Sequence, residues 1–216
     1  FEIVRQYLEN PLLEGKPAPD VLMGGGGESF NPALRPDRRD VLAEFAAKGY
    51  TVITSQHHLK QVGTWNTKLV GIFKTAQASL HSSGVRASSS SHMNVAYDKL
   101  RLTRPGSESL PDFAGWDDQP FLDLMTQKAI EILAGPEGRQ PFFLMVEAAS
   151  IDKQSESNDF AGAAWDVIEF DKAVGVGRAW AAARRPSDTL MVCTADHGQS
   201  VHVIGVAPIS DADYFN

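Results

Sequence analysis

Residues 141–152 have the sequence PFFLMVEAASID. The continuous apolar run at 142–146 follows a proline and precedes small residues, which predicts a buried β-strand rather than a helix. Two carboxylates come after this run, Glu147 at the predicted strand end and Asp152 five residues further along. A buried strand that ends in acidic residues is the unit from which the rest of the fold can be inferred.

A second segment near the C-terminus repeats this arrangement. The apolar run TLMVCT at 189–194 predicts another buried strand, and an Asp-His pair follows it closely. In an open α/β sheet, ligands bind beyond the carboxyl ends of the strands. Carboxylate and imidazole side chains together favour a divalent metal, whereas a lone acid could equally cap a helix. The residues expected in one crevice are Glu147, Asp152, Asp196 and His197.

The composition is that of an ordinary globular protein. The 216 residues are 43% hydrophobic and 22% charged, enough for one α/β domain with a full core. The net charge of −7 argues against nucleic acid as the main partner, because phosphate neutralisation needs a basic face. No apolar run approaches the ~20 residues that span a bilayer. The single cysteine, Cys193, excludes an intrachain disulfide and is expected to pack as a small hydrophobe.

Strand and helix patterns alternate along the chain, which predicts a mostly parallel sheet sandwiched between helix layers. Four short runs are additional strand candidates: 20–23, 50–54, 68–73 and 201–206. Helical spacing is present near the N-terminus, at 40–48, between Pro120 and Gly135, and at 160–183. In the last of these, the side chains expected on the buried side are Trp165, Val167, Ile168, Phe170, Val174 and Trp180.

Two stretches lack a regular pattern. Gly24–Gly27 follow the first strand, and a tight turn with positive φ is favoured over a phosphate cradle because GxGxxG and Gly-Lys-Ser/Thr spacings are absent. A poorly patterned connection extends over about 75–118, with the serines Ser88–Ser91 inside it. Such long connections are usually functional or mobile. His92 within it is interpreted as a surface residue.

The same segments resemble the alkaline phosphatase family. The family's strand ending in Val-Glu-Gly and followed by Ile-Asp-Lys/His is similar to FFLMVEAASIDK, and its Thr-Ala-Asp-His element is similar to TLMVCTADHG. Upstream family motifs resemble, in the same order, DVLMGGGG, KLVGIF and FLDLMTQKAIEIL. The resemblance covers most of residues 20–200 and implies a single, partial alkaline-phosphatase-like domain over 1–216.

The resemblance also implies a reaction and a set of ligands. The family hydrolyses phosphate monoesters with two zinc ions and one magnesium ion, through a serine nucleophile. By position, Glu147 is implied as a magnesium ligand, Asp152 as a ligand of the first zinc, and Asp196 with His197 as ligands of the second. Lys153 occupies the position that reaches phosphate through water in some bacterial members. Relatives are commonly periplasmic or secreted and often homodimeric, so both are expected here.

The sequence departs from the family pattern in several places. Glu156 stands where the family has a zinc-binding histidine and is retained as a candidate metal ligand, while Gln199 stands where another histidine is common. The Asp-Ser nucleophile motif is not found, so no catalytic nucleophile is assigned. His202 is interpreted as a structural or surface histidine. Because the sequence begins at Phe1 without an initiator Met or signal peptide, a processed or truncated product is expected. Because the nucleophile motif is missing, the chain alone is expected to be weakly active or inactive.

Three other hypotheses remain open at this point. A related metal hydrolase would act on phosphodiesters or sulfate esters instead of monoesters. A degenerate domain would bind metal or phosphate without catalysis, as Glu156 and the missing nucleophile motif suggest. In a purely structural domain the acids would act only as helix caps.

Overall fold

The computed structural model of the protein describes residues 1–9, 18–64, 68–73, 120–156, 158–199 and 210, together with the backbone of 78–81 and 84–87. The chain divides into two compact units. The first consists of Phe1–Met93, Ala114–Pro120 and Lys128–Leu144, and the second of Asn94–Phe113, Phe121–Gln127 and Met145–Asn216. The single domain expected over 1–216 stays a prediction.

The first unit contains a parallel β-sheet of three strands. These are β1 (Val21–Gly24), β2 (Tyr50–Ile53) and β3 (Lys68–Ile72), in the order β1-β3-β2. Val21 pairs with Leu69 on one side of β3, and Tyr50 pairs with Lys68 on the other. The central strand is the most apolar of the three, with four buried residues in a row, as expected for a strand covered on both faces.

Three helices alternate with these strands: α1 (Glu2–Glu9), α2 (Val41–Ala47) and α3 (Gln56–Gln61). Asp40 caps α2, because its carboxylate accepts a hydrogen bond from the backbone N–H of Ala43 at 3.0 Å. Gly49 has φ +84° just after the helix, a left-handed conformation that glycine adopts readily and that ends the helix. The spacing of Val41, Leu42 and Phe45 predicts an inward face for α2. Val41 and Phe45 are buried, and Leu42 is partly buried against the core.

The core of the first unit forms where α1 and α2 pack on the sheet. The Phe45 ring meets the Tyr50 ring edge-on, with 5.1 Å between centroids, and the Tyr50 hydroxyl donates to the carbonyl of Pro19 at 2.9 Å. The buried side chains in this cluster are Val4, Leu8, Phe30, Val41, Phe45, Tyr50, Val70 and Ile72. The predicted elements at 20–23, 40–48, 50–54 and 68–73 are therefore confirmed, with ends shifted by at most one residue.

The glycine run forms the predicted turn. Gly24 ends β1, Gly26 has φ +79°, and a short 3-10 helix (Gly27–Ser29) follows. A difference lies further along, because the weakly patterned connection contains an antiparallel hairpin of β4 (Ala78–His81) and β5 (Gly84–Ala87). Each strand has only four residues and a single strongly apolar one, Leu80 or Val85, so this pairing gives no clear sequence signal.

Helix α4 (Leu122–Ala134) begins two residues after Pro120 and ends before Gly135, which has φ +71°. Its predicted boundaries are confirmed. The division between the units falls within it, at Gln127 and Lys128. Its apolar stripe is largely buried at Met125, Ala129, Ile130, Ile132 and Ala134.

The second unit contains α5 (Ala149–Glu156) and α6 (Phe160–Arg184), which pack against each other. The two helices are joined by a tight turn. Asn158 adopts φ +57°, and the carboxylate of Asp159 accepts the backbone N–H of Gly162 at 2.9 Å to cap α6. A Cβ at Gly162 would lie 2.8 Å from Oδ2 of Asp159, so a larger residue would displace the capping carboxylate.

The existence of α6 is confirmed, but its predicted buried side is wrong. Val167 and Ile168 are 48% and 41% exposed, whereas the buried residues are Ala161, Gly162, Asp166, Glu169 and Ala173. Apolar side chains lie all around this helix, so apolar periodicity does not select one face. Packing against α5 selects the face with small residues, and that face carries two acids.

The two strands predicted at 142–146 and 189–194 are also wrong for this structure. Both segments are without regular secondary structure, and neither joins a ladder among the described residues. Phe143 and Leu190 are 88% and 89% exposed, and Cys193 is exposed instead of packed. An apolar run becomes a buried strand only where neighbouring strands pair with it. Exposed and half-buried residues alternate along 141–148. This two-residue period is that of an extended strand, although the segment pairs with no neighbouring strand among the described residues.

The α/β class with a parallel sheet and flanking helices is confirmed. No helix in the described ranges combines the length and apolarity needed to cross a membrane. Several sequence predictions lie outside the described residues: the strand at 201–206, the serines Ser88–Ser91, His92 and His202.

Candidate metal centre

Helix α5 positions the first candidate ligands. Asp152 lies in its first half with a side chain that is partly exposed, and Glu156 is its last residue and is exposed. Glu147 precedes the helix in the extended segment and is also exposed. The four-residue spacing of Asp152 and Glu156 places them on neighbouring turns of one helix face.

The loop after residue 194 positions the second pair. One carboxylate oxygen of Asp196, Oδ1, accepts the backbone N–H of His197 at 3.1 Å, which fixes the turn. The Asp196 side chain is 91% exposed, and that of His197 is also largely in solvent. Both groups are therefore accessible to an ion from water.

The structure brings these two segments of the second unit together. Nε2 of His197 lies 3.6 Å from Oδ1 of Asp152, although 45 residues separate them, and 3.8 Å from Oδ2 of Asp196. One imidazole thus stands between two carboxylates. The sequence prediction that Asp152 approaches the Asp-His pair agrees with these distances.

The tautomer of His197 decides what this contact can do. Nδ1 lies 3.3 Å from the carbonyl oxygen of Gly198, which can only accept a hydrogen bond. With a proton on Nδ1, a neutral ring presents the Nε2 lone pair to the Asp152 carboxylate. Two acceptors face each other stably only when a proton or a cation lies between them. The arrangement is therefore suited to bind one or the other.

Gln199 is the residue that sequence analysis did not assign to the site. Its side-chain amide donates to Oδ1 of Asp152 at 2.7 Å, and this is the same oxygen that faces His197. The only sequence signal for it was its position, two residues after the histidine. A glutamine in an exposed loop has no distinguishing pattern, so its contact could be found only from the tertiary structure.

Other candidates are not drawn into this cluster. In the part of the chain that the structure describes, neither Glu147 nor Glu156 forms a hydrogen bond or ion pair with Asp152 or His197. Lys153 lies back along its own helix, where Nζ is 3.4 Å from the carbonyl oxygen of Ala149. Within those same described ranges, no three His, Cys, Asp or Glu side chains are arranged to hold a metal ion.

The pair of Asp152 and His197 nevertheless fits the requirements of zinc. Zinc binds imidazole nitrogen at about 2.0–2.1 Å and carboxylate oxygen at about 2.0–2.2 Å, so two ligands at a tetrahedral angle lie about 3.4 Å apart. The observed 3.6 Å between Nε2 and Oδ1 is close to that value. The donor types and this separation suit ligands of one ion or of two adjacent ions, and further ligands are needed to complete either arrangement.

Comparisons with known proteins identify the family of the chain. The profile of the alkaline phosphatase family matches residues 3–215. Alkaline phosphatase H of Pseudomonas aeruginosa is 33% identical over 195 residues, which are 88% of this chain and 38% of the relative. The streptomycin-6-phosphate phosphatase of Streptomyces griseus is 32% identical over 190 residues, 86% of this chain and 40% of the relative.

A solved structure gives the same relationship. The crystal structure of Thermus thermophilus alkaline phosphatase is similar with a TM-score of 0.58 and 30% sequence identity, over 84% of this chain and 30% of that chain. The chain spans about two fifths of the length of the curated relatives named here, since it covers 38% and 40% of them. With a family profile matched over almost its whole length, this chain belongs to the alkaline phosphatase family.

Proposed function

We propose that this chain carries part of the active site of a metal-dependent phosphomonoesterase. In the proposal, Asp152, Asp196 and His197 are zinc ligands, with Asp152 serving the first zinc and the Asp-His pair the second. Glu147 is a magnesium ligand, and Glu156 is a carboxylate ligand in place of the family's histidine. Bound zinc would polarise a phosphoryl oxygen and stabilise developing charge.

The observation that carries the proposal is the approach of His197 to Asp152. Two segments 45 residues apart in sequence place an imidazole nitrogen 3.6 Å from a carboxylate oxygen, at an accessible site. Both residues are those that the family resemblance implied as ligands. A structural role explains this contact poorly, because exposed ion pairs contribute only about 0–1 kcal/mol.

Lys153 has a separate proposed role toward the substrate. Lys153 follows Asp152 in the sequence, and its Nζ is 3.4 Å from the carbonyl oxygen of Ala149. The lysine side chain is long and flexible. Rotation away from the helix would place positive charge near phosphate oxygens, where it stabilises the transferring group.

We propose further that the chain alone is weakly active or inactive. It spans about two fifths of its relatives' length, and its sequence lacks the Asp-Ser nucleophile motif. A phosphate monoester is the proposed substrate class of the whole protein. A periplasmic or secreted location and a homodimer are proposed with it, on family resemblance.

Zinc binding and hydrolysis can be measured on the same preparation. The chain is loaded with zinc and magnesium, dialysed and analysed for bound metal, and then assayed with an aryl phosphate at alkaline pH. Bound zinc is expected at substoichiometric to stoichiometric levels, decreasing strongly in Asp152→Asn and His197→Ala. Asp188→Asn, which removes an exposed carboxylate paired with Arg185 in the same unit, is the matched control and should retain zinc.

The outcomes separate the parts of the proposal. If the unsubstituted chain retains no zinc, the metal site is refuted. If it hydrolyses the aryl phosphate rapidly, the proposed incompleteness is refuted while the site stands. Rates on a monoester, a diester and an aryl sulfate then distinguish the substrate class.

A second candidate is a metal-binding domain without catalysis. It is favoured by the carboxylate of Glu156 at the family's histidine position. This candidate is supported if the chain retains zinc but does not hydrolyse the substrate, and if the Glu156→His variant, which restores the family's histidine, is also inactive. Hydrolysis that appears only in the Glu156→His variant supports the phosphomonoesterase.

A further inference from the structure

Met191 is the side chain by which the extended segment at 189–194 contacts α6. It is 43% exposed, whereas its neighbours Leu190 and Val192 are 89% and 74% exposed. A Cβ placed at Gly177 of α6 would lie 2.6 Å from Cε of Met191, closer than real Cβ atoms approach a neighbour. The end of the Met191 side chain therefore occupies a space that is open only because residue 177 is glycine.

The segment is also fixed where it leaves α6. The hydroxyl of Thr189 donates to the carbonyl oxygen of Arg185 at 2.9 Å, and Nε of Arg185 donates to Oδ1 of Asp188 at 2.8 Å. Gly177 lies eight residues before Arg185, which is about 12 Å along the helix axis. To reach Gly177, the segment must therefore turn at the end of α6 and run back along it.

The same helix holds the segment that carries the other ligand. A side chain of α5 lies 3.0 Å from a Cβ built at Gly162, which is 15 residues, or about 22 Å along the axis, before Gly177. From Met191 to His197 there are six residues, which span about 20 Å when extended. The two lengths match, so the contact at Gly177 sets how far His197 reaches toward Asp152.

From these contacts we infer that Gly177 and Met191 are positioning residues for the Asp196-His197 pair as metal ligands. The inference rests on the proposed function, since it requires that His197 binds zinc. A slip of the segment by one residue would move His197 by about 3.3 Å, whereas metal–ligand distances tolerate only about 0.2 Å. Met191 acts on the ion through the extended chain, and Gly177 acts through Met191.

The test uses paired variants on α6 and on the segment. Gly177→Ala fills the space that Met191 occupies. Its matched control is Gly175→Ala in the same helix, where no atom from another part of the described chain lies within 4 Å of the added Cβ. Both variants replace a glycine inside a helix by a better helix former, so both are expected to fold. Met191→Ala removes the contact from the other side, and Leu190→Ala controls for truncation of an exposed apolar side chain.

Zinc affinity is measured by competition with a chromophoric chelator, and cobalt is substituted to record the visible spectrum of the bound ion. Loss of a group that orients a metal ligand typically weakens binding about 10–100-fold, and we expect the lower end, about 10-fold, because this contact acts through several residues. Gly177→Ala and Met191→Ala should both show this loss, with a changed cobalt spectrum. Gly175→Ala and Leu190→Ala should not differ from the unsubstituted chain.

The double variant shows whether the two residues act through one contact. Combining Gly177→Ala with Met191→Ala should again give a loss of about 10-fold, whereas independent effects would multiply to about 100-fold and would contradict a shared contact. Far-UV circular dichroism verifies that each variant is folded.

The negative outcomes have different meanings. If the unsubstituted chain binds no zinc, the proposed function is refuted and the positioning role with it. If the unsubstituted chain binds zinc and Gly177→Ala binds it as tightly as Gly175→Ala, with the same cobalt spectrum, only the positioning role is refuted. A lower melting temperature of Met191→Ala with unchanged zinc affinity would show a packing contact alone and would also overturn that role.

Discussion

The free energy of unfolding of the chain is expected to decrease as pH rises, because Glu169 ionises. Replacing Glu169 by glutamine should abolish this decrease. Glu169 lies on the buried face of α6 and is only 3% exposed. Its Oε2 is 3.2 Å from Nζ of Lys172, while its Oε1 has no hydrogen-bond partner within the described structure. Glu169 is therefore a buried carboxyl group with only one of its two oxygens hydrogen-bonded.

The charged groups around Glu169 determine its protonation. Burial raises the pKa of Glu169, Lys172 lowers it by hydrogen bonding and charge, and Asp123 at the start of α4 raises it again. Asp166 lies one turn earlier on the same buried face. Because a nearby carboxylate disfavours a second negative charge, Asp123 favours the protonated form of Glu169.

The sign of the pH dependence follows from the raised pKa. The folded chain holds the proton of Glu169 more tightly than the unfolded chain, in which glutamate has a pKa near ~4.3. The associated stability is fully present below that value and is lost as pH rises through the higher folded pKa. An ionised, buried oxygen without a donor costs about 1–3 kcal/mol, which sets the expected loss.

Glutamine has nearly the same shape and does not ionise. Thermal unfolding is followed between pH 5 and 9 by tryptophan fluorescence, to which Trp165 and Trp180 of α6 contribute. We expect the melting temperature of Glu169→Gln to exceed that of the unsubstituted chain at pH 9, by about 2–4 °C for each kcal/mol in a protein of this size, with a smaller difference at pH 5.

Glu131→Gln is the matched control, since Glu131 also pairs with a lysine three residues away, Lys128 at 3.1 Å, but is more exposed. Exposed pairs contribute about 0–1 kcal/mol, so this variant should show little change in slope with pH. The reasoning is refuted if the curves of Glu169→Gln and the unsubstituted chain run parallel from pH 5 to 9.

Three other perturbations test the core, a helix cap and the metal site. Phe45→Ala vacates a fully buried position against Tyr50 and is expected to cost about 3–5 kcal/mol in urea unfolding, with a smaller cost for Phe45→Leu. Asp159→Ala removes the N-cap of α6 and should cost about 1 kcal/mol, most of which Asp159→Asn retains; equal stability of all three chains would contradict the cap. Zinc at about 100 times its Kd should raise the free energy of unfolding by about 2.7 kcal/mol, and a persistent increase in His197→Ala would show that the zinc binds elsewhere.

The helices and strands of the first unit could be predicted because their signals are local. Asp40 before α2 and Gly49 after it are a cap and a stop that act over a few residues, and Val41 with Phe45 has the spacing of one helix face. The packing of Phe45 on Tyr50 then follows from two apolar faces that meet across a short connection. Here propensity, pattern and packing favour the same structure.

The buried face of α6 shows where local signals are insufficient. Val167 and Ile168 were predicted to be buried and are exposed, while Glu169 is buried. When apolar residues lie on every side of a helix, the packing of neighbouring elements decides which face is buried. A side chain of α5, that of Gln154, lies 3.0 Å from a Cβ built at Gly162, so the face of α6 with small residues lies toward α5.

The sequence by itself determined the family, the α/β class and the identity of the candidate ligands, because these depend on residue types at fixed spacings along the chain. Only the tertiary structure decided that His197 lies beside Asp152, that Gln199 bonds to the same oxygen, and that the apolar runs at 142–146 and 189–194 form no ladder among the described residues. Burial and hydrogen bonding between distant segments depend on which surfaces pack together, and local sequence patterns do not predict such packing.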